Sequence, residues 1–381
     1  MNTIAKTMLP EETDTPIRVG EGRISAYLCF ALGLLSLLGV FTFLFPSHLT
    51  TPDLRASYSP DAMRALMAAG LVAASGFGAF ALYKRAGRRF AWIGLGAVAV
   101  AMALGGPGVE AGPVQEGALY VGLDWFIIGL VSSGAMFVLL EKLSPLRREQ
   151  STLRAKWQHD MKHFLVNHLM IGVYLLVANT VVHQWLSWMI IPAVGEFVGS
   201  LPFAVQFVGV LLAVDLMAYW VHRLYHTEDF FWRIHSVHHS TTTMDWLAGS
   251  RLNFMEPMIT RTGGLLAITA LGFDAGPINA YIVFAGFHAT WIHANLGWDL
   301  RWIERVWVTP KYHHWHHSDA EEAINVNYAN YFTFLDRIFG SQYNPDHWPE
   351  GYGVLYDAPP EGFLAEQLHP FAELREMIAE D

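Results

Sequence analysis

The sequence predicts an all-α integral membrane protein: a polytopic bundle of transmembrane helices with a helical cap on the cytosolic side. Three observations carry that expectation. Apolar residues make up 53% of the chain and charged residues 15%, against roughly 25% charged in a soluble globular protein. Several apolar stretches reach the about 20 residues a helix needs to cross a hydrocarbon core about 30 Å thick. Lysine and arginine gather in alternate loops, the pattern that orients membrane helices.

The elements follow in order. After an acidic, polar leader ("EETDTP"), residues 24–45 form the first span. It starts late and no small-residue cleavage pattern follows it, so it is expected to be a retained helix rather than a secretory signal. Residues 62–82, 118–140 and 201–221 are spans of the same kind, while 90–105 and 164–182 are shorter or less clean. The stretches 263–272 and 277–296 are split by "FDAGP". The first of these legs is too short to cross comfortably, so the pair is expected as a hairpin that enters and leaves by one side.

Charge placement orients these spans. Lys84, Arg85, Arg88 and Arg89 lie between the second and third, and Lys142, Arg147, Arg148, Arg154 and Lys156 follow the fourth. The loops 106–117 and 183–200 contain neither lysine nor arginine. A cytoplasmic N-terminus satisfies all of these together. The chain from His222 to about Arg261 then faces the cytoplasm, as do Arg301, Arg305 and Lys311. The Pro- and Gly-rich "PGVEAGPVQEG" marks a boundary: 1–117 holds about three extra helices, 118–345 all the candidate chemistry, and 346–381 a polar cytosolic tail. Within that tail "FLAEQLHPFAELREMI" is expected as a short helix.

Several functions are excluded. The net charge of −10 comes mostly from the leader and tail, and no basic stripe exists to bind nucleic acid. Cys29 is the only cysteine, so there is neither a disulfide framework nor a thiolate metal site. "GLGAVAVAMALGG" lies in a membrane helix without the strand that a dinucleotide loop requires.

Three histidine clusters remain: "HRLYH" at 222–226, "HSVHH" at 235–239 and "HHWHHS" at 313–318. Residues three and four apart share a helix face. His222 and His226 have that spacing, one turn can present His235, His238 and His239 together, and His313, His316 and His317 repeat the arrangement, leaving His314 to point elsewhere. A lone interfacial histidine usually snorkels or hydrogen-bonds. Two copies of H-x-x-H-H plus an H-x-x-x-H on one membrane face are a different matter. The clusters provide eight candidate ligands, and "HATWIHAN" adds His293 and His288. That exceeds the four-coordinate shell of one structural zinc and suits two metals with open positions. Imidazole alone does not name the metal, since iron, zinc, copper and nickel all accept it. The H-E-x-x-H of a zinc protease is absent. His159, His163 and His168 are expected at the interface, and His183, His347 and His369 are isolated.

"DLMAYWVHRLYH", "FWRIHSVHHS", "IHANLGW", "VTPKYHHWHHS" and "NVNYANYFTFLDRIFGS" resemble, in order, the signatures of the fatty acid hydroxylase/sterol desaturase superfamily. The likeness covers 120–345 and continues weakly into the tail at "WPEGYG" and "HPF". It implies a membrane-embedded non-haem di-iron oxygenase that hydroxylates or desaturates a lipid C–H bond. On these grounds His222, His226, His235, His238, His239, His293, His313, His316 and His317 are the metal ligands and act in catalysis, with His288 a further candidate. The resemblance also implies two iron ions as cofactor, with zinc able to substitute in isolated protein. Two departures touch substrate shape: Asn253 stands where relatives often have histidine, and Ala329 replaces the glycine of the usual "NYG".

Physical logic points the same way. Cleaving an unactivated C–H bond needs a metal that changes oxidation state, which zinc does not. Metal-bound histidines usually donate their outer N–H to a carboxylate or carbonyl. Asp215, seven residues before His222 on the same helix face, is a candidate for that role, because a carboxylate inside a membrane helix is costly. Glu256, Asn295 and Asn327 are further candidates. With no flavin, nicotinamide or haem module in the chain, electrons are expected from a separate partner, a ferredoxin- or cytochrome-type protein with its reductase. Other readings stay open: an ether-lipid monooxygenase or a carotenoid- or sterol-modifying oxygenase of the same family or, from a different class, a His-rich metal transporter. The transporter requires ionisable residues at mid-membrane on several helices, where only Asp215 is well placed.

Overall fold

The computed structural model describes residues 20–52, 55, 59–115, 118–152 and 154–372. The acidic leader and the end of the expected tail helix lie outside these residues. Among the described residues the architecture is helical, with no β-strand. Among the described residues four helices are long and apolar enough to cross a membrane, Arg23–Leu44, Pro60–Tyr83, Arg88–Gly108 and Phe203–Thr227, or five if a bent pair counts as one span. This is a multi-pass membrane protein.

The chain forms two compact units, 1–127 with 153–155, and 128–152 with 156–381. The first contains α1 (Arg23–Leu44), α2 (Pro60–Tyr83) and α3 (Arg88–Ala103). Each of these is apolar on nearly every face, as suits a helix surrounded by lipid and by other helices. Pro60 at the first helical position and the Ser59 hydroxyl, which accepts from the Ala62 amide, start α2. α1 packs on both α2 and α3 through small residues. The closest approach is at Gly33, where an added Cβ would lie 2.5 Å from the Gly94 carbonyl oxygen. Such contacts let membrane helices gain dispersion where no hydrophobic driving force separates them from lipid.

α4 (Leu123–Leu143) opens at the end of the first unit and continues into the second. The second unit then runs through α5 (Trp157–Leu169), α6 (Ile171–Thr180), α7 (Phe203–Thr227), α8 (Asp229–His239), α9 (Met255–Leu271), α10 (Ala275–His293), α11 (Pro310–His316), α12 (Thr333–Phe339) and α13 (Phe363–Leu368). α7 is its spine, packing against α8, α9 and α10.

The structure redraws the bounds of the less regular spans. The stretch expected at 164–182 starts earlier, at Trp157, and bends by 49° between α5 and a second segment ending at Trp185. The helix of the 201–221 span continues through His222 and His226, as expected, and α7 ends at Thr227 where Glu228 turns extended. The first leg of the hairpin starts earlier than expected, at Met255, but its 17 residues rise only about 25 Å at 1.5 Å per residue, still short of a core about 30 Å thick. Polar "MEPMITRT" disguises its first two turns in a hydropathy reading. The leg ends at Gly272, whose φ of +68° suits glycine in the turn into α10.

Candidate metal centre

Each histidine is delivered by a short local device. His222 and His226 stand one turn apart at the end of α7. Glu228 in extended conformation lets the chain restart as α8, with Asp229 in its first turn opposite the helix dipole. The last turn of α8 carries His235, His238 and His239, and the end of α10 carries His293. α11 is nucleated by Thr309, whose hydroxyl accepts from the Tyr312 amide, and by Pro310 at the first position. Buried Glu304 accepts from the Thr309 hydroxyl at 2.9 Å and pairs with Lys311 at 3.0 Å, anchoring the helix that presents His313 and His316.

These residues converge in two groups. His222, His226, His235, His239 and His316 form one, and His238, His293, His313 and His317 the other. The groups adjoin, with the rings of His239 and His317 stacked at 4.4 Å. His288 belongs to neither. It is buried among Phe284, Trp291, Trp307 and Tyr331 farther up α10. His314 points away, as its position in the cluster suggested. It is fully buried, and its Nδ1 lies 2.9 Å from the Tyr352 hydroxyl.

Hydrogen bonds on the outer nitrogens fix the tautomers. Nδ1 of His222 donates to the Tyr328 carbonyl at 2.8 Å, and Nδ1 of His235 to the Glu256 carboxylate at 3.0 Å. Nδ1 of His238, His293 and His316 donates to the carbonyls of Arg251 (3.2 Å), Ala289 (2.6 Å) and Val326 (2.7 Å). A neutral ring that donates through Nδ1 carries its lone pair on Nε2. Nε2 of His222 nevertheless lies 3.0 Å from Nε2 of His235, and Nε2 of His238 lies 3.1 Å from Nε2 of His293. Two lone pairs at that distance repel unless a cation sits between them. The buried Nε2 atoms of His226 and His316 have no hydrogen-bond partner at all. The nitrogens thus fit a pair of metal ions better than any arrangement of protons.

Burial also sets their charge. It pushes the imidazoles of His235, His238, His239, His313, His316 and His317 well below their ordinary range, and neighbouring imidazoles add to the effect. These rings are neutral at pH 7, the form that binds metal.

The expected carboxylate and amide partners divide. Glu256 does bond an outer N–H, that of His235. Asp215 touches no histidine: its carboxylate accepts the backbone N–H groups of Asn330, Tyr331 and Phe332 at 2.7, 3.1 and 2.7 Å. It thereby fixes the loop just after Tyr328. Asn327, with φ +58°, joins Tyr312 and Tyr343 between the two carbonyls, of Val326 and Tyr328, that receive His316 and His222. Asn295 binds the backbone of Arg147. Four of the nine rings are therefore oriented by backbone carbonyls, which side-chain identity does not reveal. Asp336 was missed altogether; it is buried and accepts from the Tyr328 and Ala329 amides and from the hydroxyls of Tyr312 and Ser341.

Residues 207–341 match the family model described as fatty acid hydroxylase. An ornithine lipid hydroxylase of Rhizobium tropici is 25% identical over 257 residues, 66% of this chain and 76% of that protein. The alkylglycerol monooxygenase of Danio rerio is 30% identical over 145 residues, 38% of this chain and 31% of the relative. Its Homo sapiens counterpart is 28% identical over 130 residues, 34% and 29% respectively. The chain thus spans under a third of the length of these monooxygenases. No solved structure matches. Residues 207–341, which carry all three histidine clusters, thus match a fatty acid hydroxylase domain, and the similar proteins are lipid hydroxylases and monooxygenases.

Proposed function

We propose that this protein is a membrane-bound lipid hydroxylase. It inserts one atom of O2 into a C–H bond of a membrane lipid and reduces the other to water, with two electrons from a separate ferredoxin- or cytochrome-type partner and two protons. Its relatives are lipid oxygenases, which supports an oxidoreductase acting on lipid. The observation that carries the metal part of the reading is the facing of Nε2 lone pairs, His222 against His235 and His238 against His293, with every outer N–H already committed.

In this reading His222, His226, His235, His239 and His316 hold one iron, and His238, His293, His313 and His317 the other. Iron supplies the change of oxidation state that O2 activation and C–H cleavage require; zinc fits the same nitrogens but yields inactive protein. The chain's own contribution is positional. Carbonyls and Glu256 hold the rings of His222, His235, His238, His293 and His316 in one tautomer, burial keeps water from the nitrogens, and neutral imidazoles leave the ions' positive charge largely uncompensated. The lysines and arginines flanking the spans support a cytoplasmic site and N-terminus, where a soluble electron donor can dock.

Lipid mass spectrometry of a strain lacking the protein, complemented with wild type or with His238→Ala, tests the function. A species heavier by one oxygen, present with wild type and absent with the variant, is the expected result. A difference of two hydrogens instead assigns a desaturase, and no lipid difference contradicts the reading. The alkylglycerol monooxygenase relatives favour a second possibility, hydroxylation next to an ether oxygen. Loss of an alkyl ether with release of an aldehyde would mark it.

A further inference from the structure

Two histidines expected at the membrane interface form a cluster of their own. His159 and His163 stand four apart on α5, and so on one face. α13 brings Glu366 to them: its carboxylate oxygens lie 2.9 and 2.7 Å from His159 Nε2, and Oε2 lies 2.8 Å from His163 Nε2. The side chains of His163 and Glu366 are 0% and 6% exposed, that of His159 19%.

Nδ1 of His163 donates to the Leu252 carbonyl at 3.0 Å. A neutral His163 therefore presents a lone pair, not a hydrogen, to the carboxylate oxygen 2.8 Å away. Either a second proton or a cation must lie between them. A proton gives a hydrogen-bonded histidine–carboxylate pair, with the ring packed on Phe363, whereas a divalent cation would satisfy both imidazole nitrogens and the carboxylate at once.

We propose that His159, His163 and Glu366 bind a third divalent ion of the zinc class, separate from the nine-histidine centre. Two imidazole nitrogens and one carboxylate oxygen are a donor set zinc accepts, and the partly exposed edge at His159 leaves a fourth position for water. The bond from the outer N–H of His163 to a carbonyl is the support that metal-bound histidines usually have. The ion's role is structural. Asn253 Nδ2 donates to the backbone carbonyls of Glu366 and Gln367 at 2.9 and 3.1 Å, and the adjoining Arg251 carbonyl orients His238. A metal here joins the C-terminal segment to the strip 251–253, which holds a ring of the main centre. Asn253, where relatives often have histidine, serves this junction.

The test is a metal count on full-length protein in detergent, loaded with zinc and then exchanged into metal-free buffer. Wild type is expected to hold one zinc per chain more than either Glu366→Gln or His159→Ala. Equal counts in all three would overturn the proposal and assign the cluster to a proton-held ion pair. Because the difference is read, the result does not depend on how many ions the main centre holds. If Glu366→Gln aggregates, His159→Ala, which leaves the His163–Glu366 pair intact, carries the comparison. Density between the three side chains in a cryo-EM map of zinc-loaded wild type reads the same site without a variant, and its absence there would also overturn the proposal.

Discussion

The two compact units use opposite chemistry to pack helices. In the first, small residues meet: the α1–α3 contact is Gly33 against Gly94, and the buried positions of α3 are Ala91, Gly94, Ala97 and Ala101. In the second, polar groups fill the interior, among them the nine converging histidines, Asp215, Glu256, Asn327 and Asp336. A buried polar group without a partner costs about 1–3 kcal/mol, so this interior persists because nearly every such group is paired. Among the exceptions are the Nε2 atoms of His226 and His316, where a bound ion would supply the missing partner.

Substitutions can break that contrast. The largest effect is expected at a ligand: His316→Ala should abolish product in the lipid assay and lower bound metal, measured by elemental analysis. Glu256→Gln, which keeps shape but weakens the hold on His235, should cost about 10–100-fold in metal affinity or activity, the usual cost of removing an outer partner. Chelator competition measures it.

Acid should act on the second unit alone. Burial holds its imidazoles neutral in the folded state, whereas in the unfolded chain they take up protons near pH 6.5. The unfolded state thus binds more protons once pH falls below about 6.5, and both stability and bound metal decline from there downward. Above that pH the contribution is fully present. Metal retention followed from pH 8 to pH 5 shows the decline; flat retention to pH 5 would contradict it.

Asp215→Ala strands three backbone N–H groups and should destabilise the second unit by about 3 kcal/mol or more, at about 1–3 kcal/mol each. Denaturant unfolding in detergent measures the loss. The smallest effect belongs to the first unit: Gly33→Ala should cost about 1–3 kcal/mol through overpacking, with bound metal unchanged.

Much of this was legible in advance. Helical spacing alone puts His235, His238 and His239 on one turn, and the side-chain direction this implies is local. Asp215 was the leading candidate partner because a carboxylate inside a membrane helix is costly, yet it binds backbone amides, since a carboxylate serves those as well as imidazoles and only tertiary structure chooses between them. Glu256, named only as a further candidate, is the one that meets a histidine. His288 shares α10 with His293 five residues on, and so lies about 500° around the helix at 100° per residue, off the ligand face. The pairing of His163 with Glu366 spans 203 residues. No local pattern announces a contact between a membrane-proximal helix and a polar tail.

The central claim is that imidazoles from α7, α8, α10 and α11 surround two metal ions. A cryo-EM map of the iron-loaded protein that resolves side chains tests it most directly. Two ion densities are predicted, one bounded by His222, His235 and His316 and the other by His238, His293 and His313. Rings turned apart, or Nε2 atoms in contact with no density between them, would contradict it.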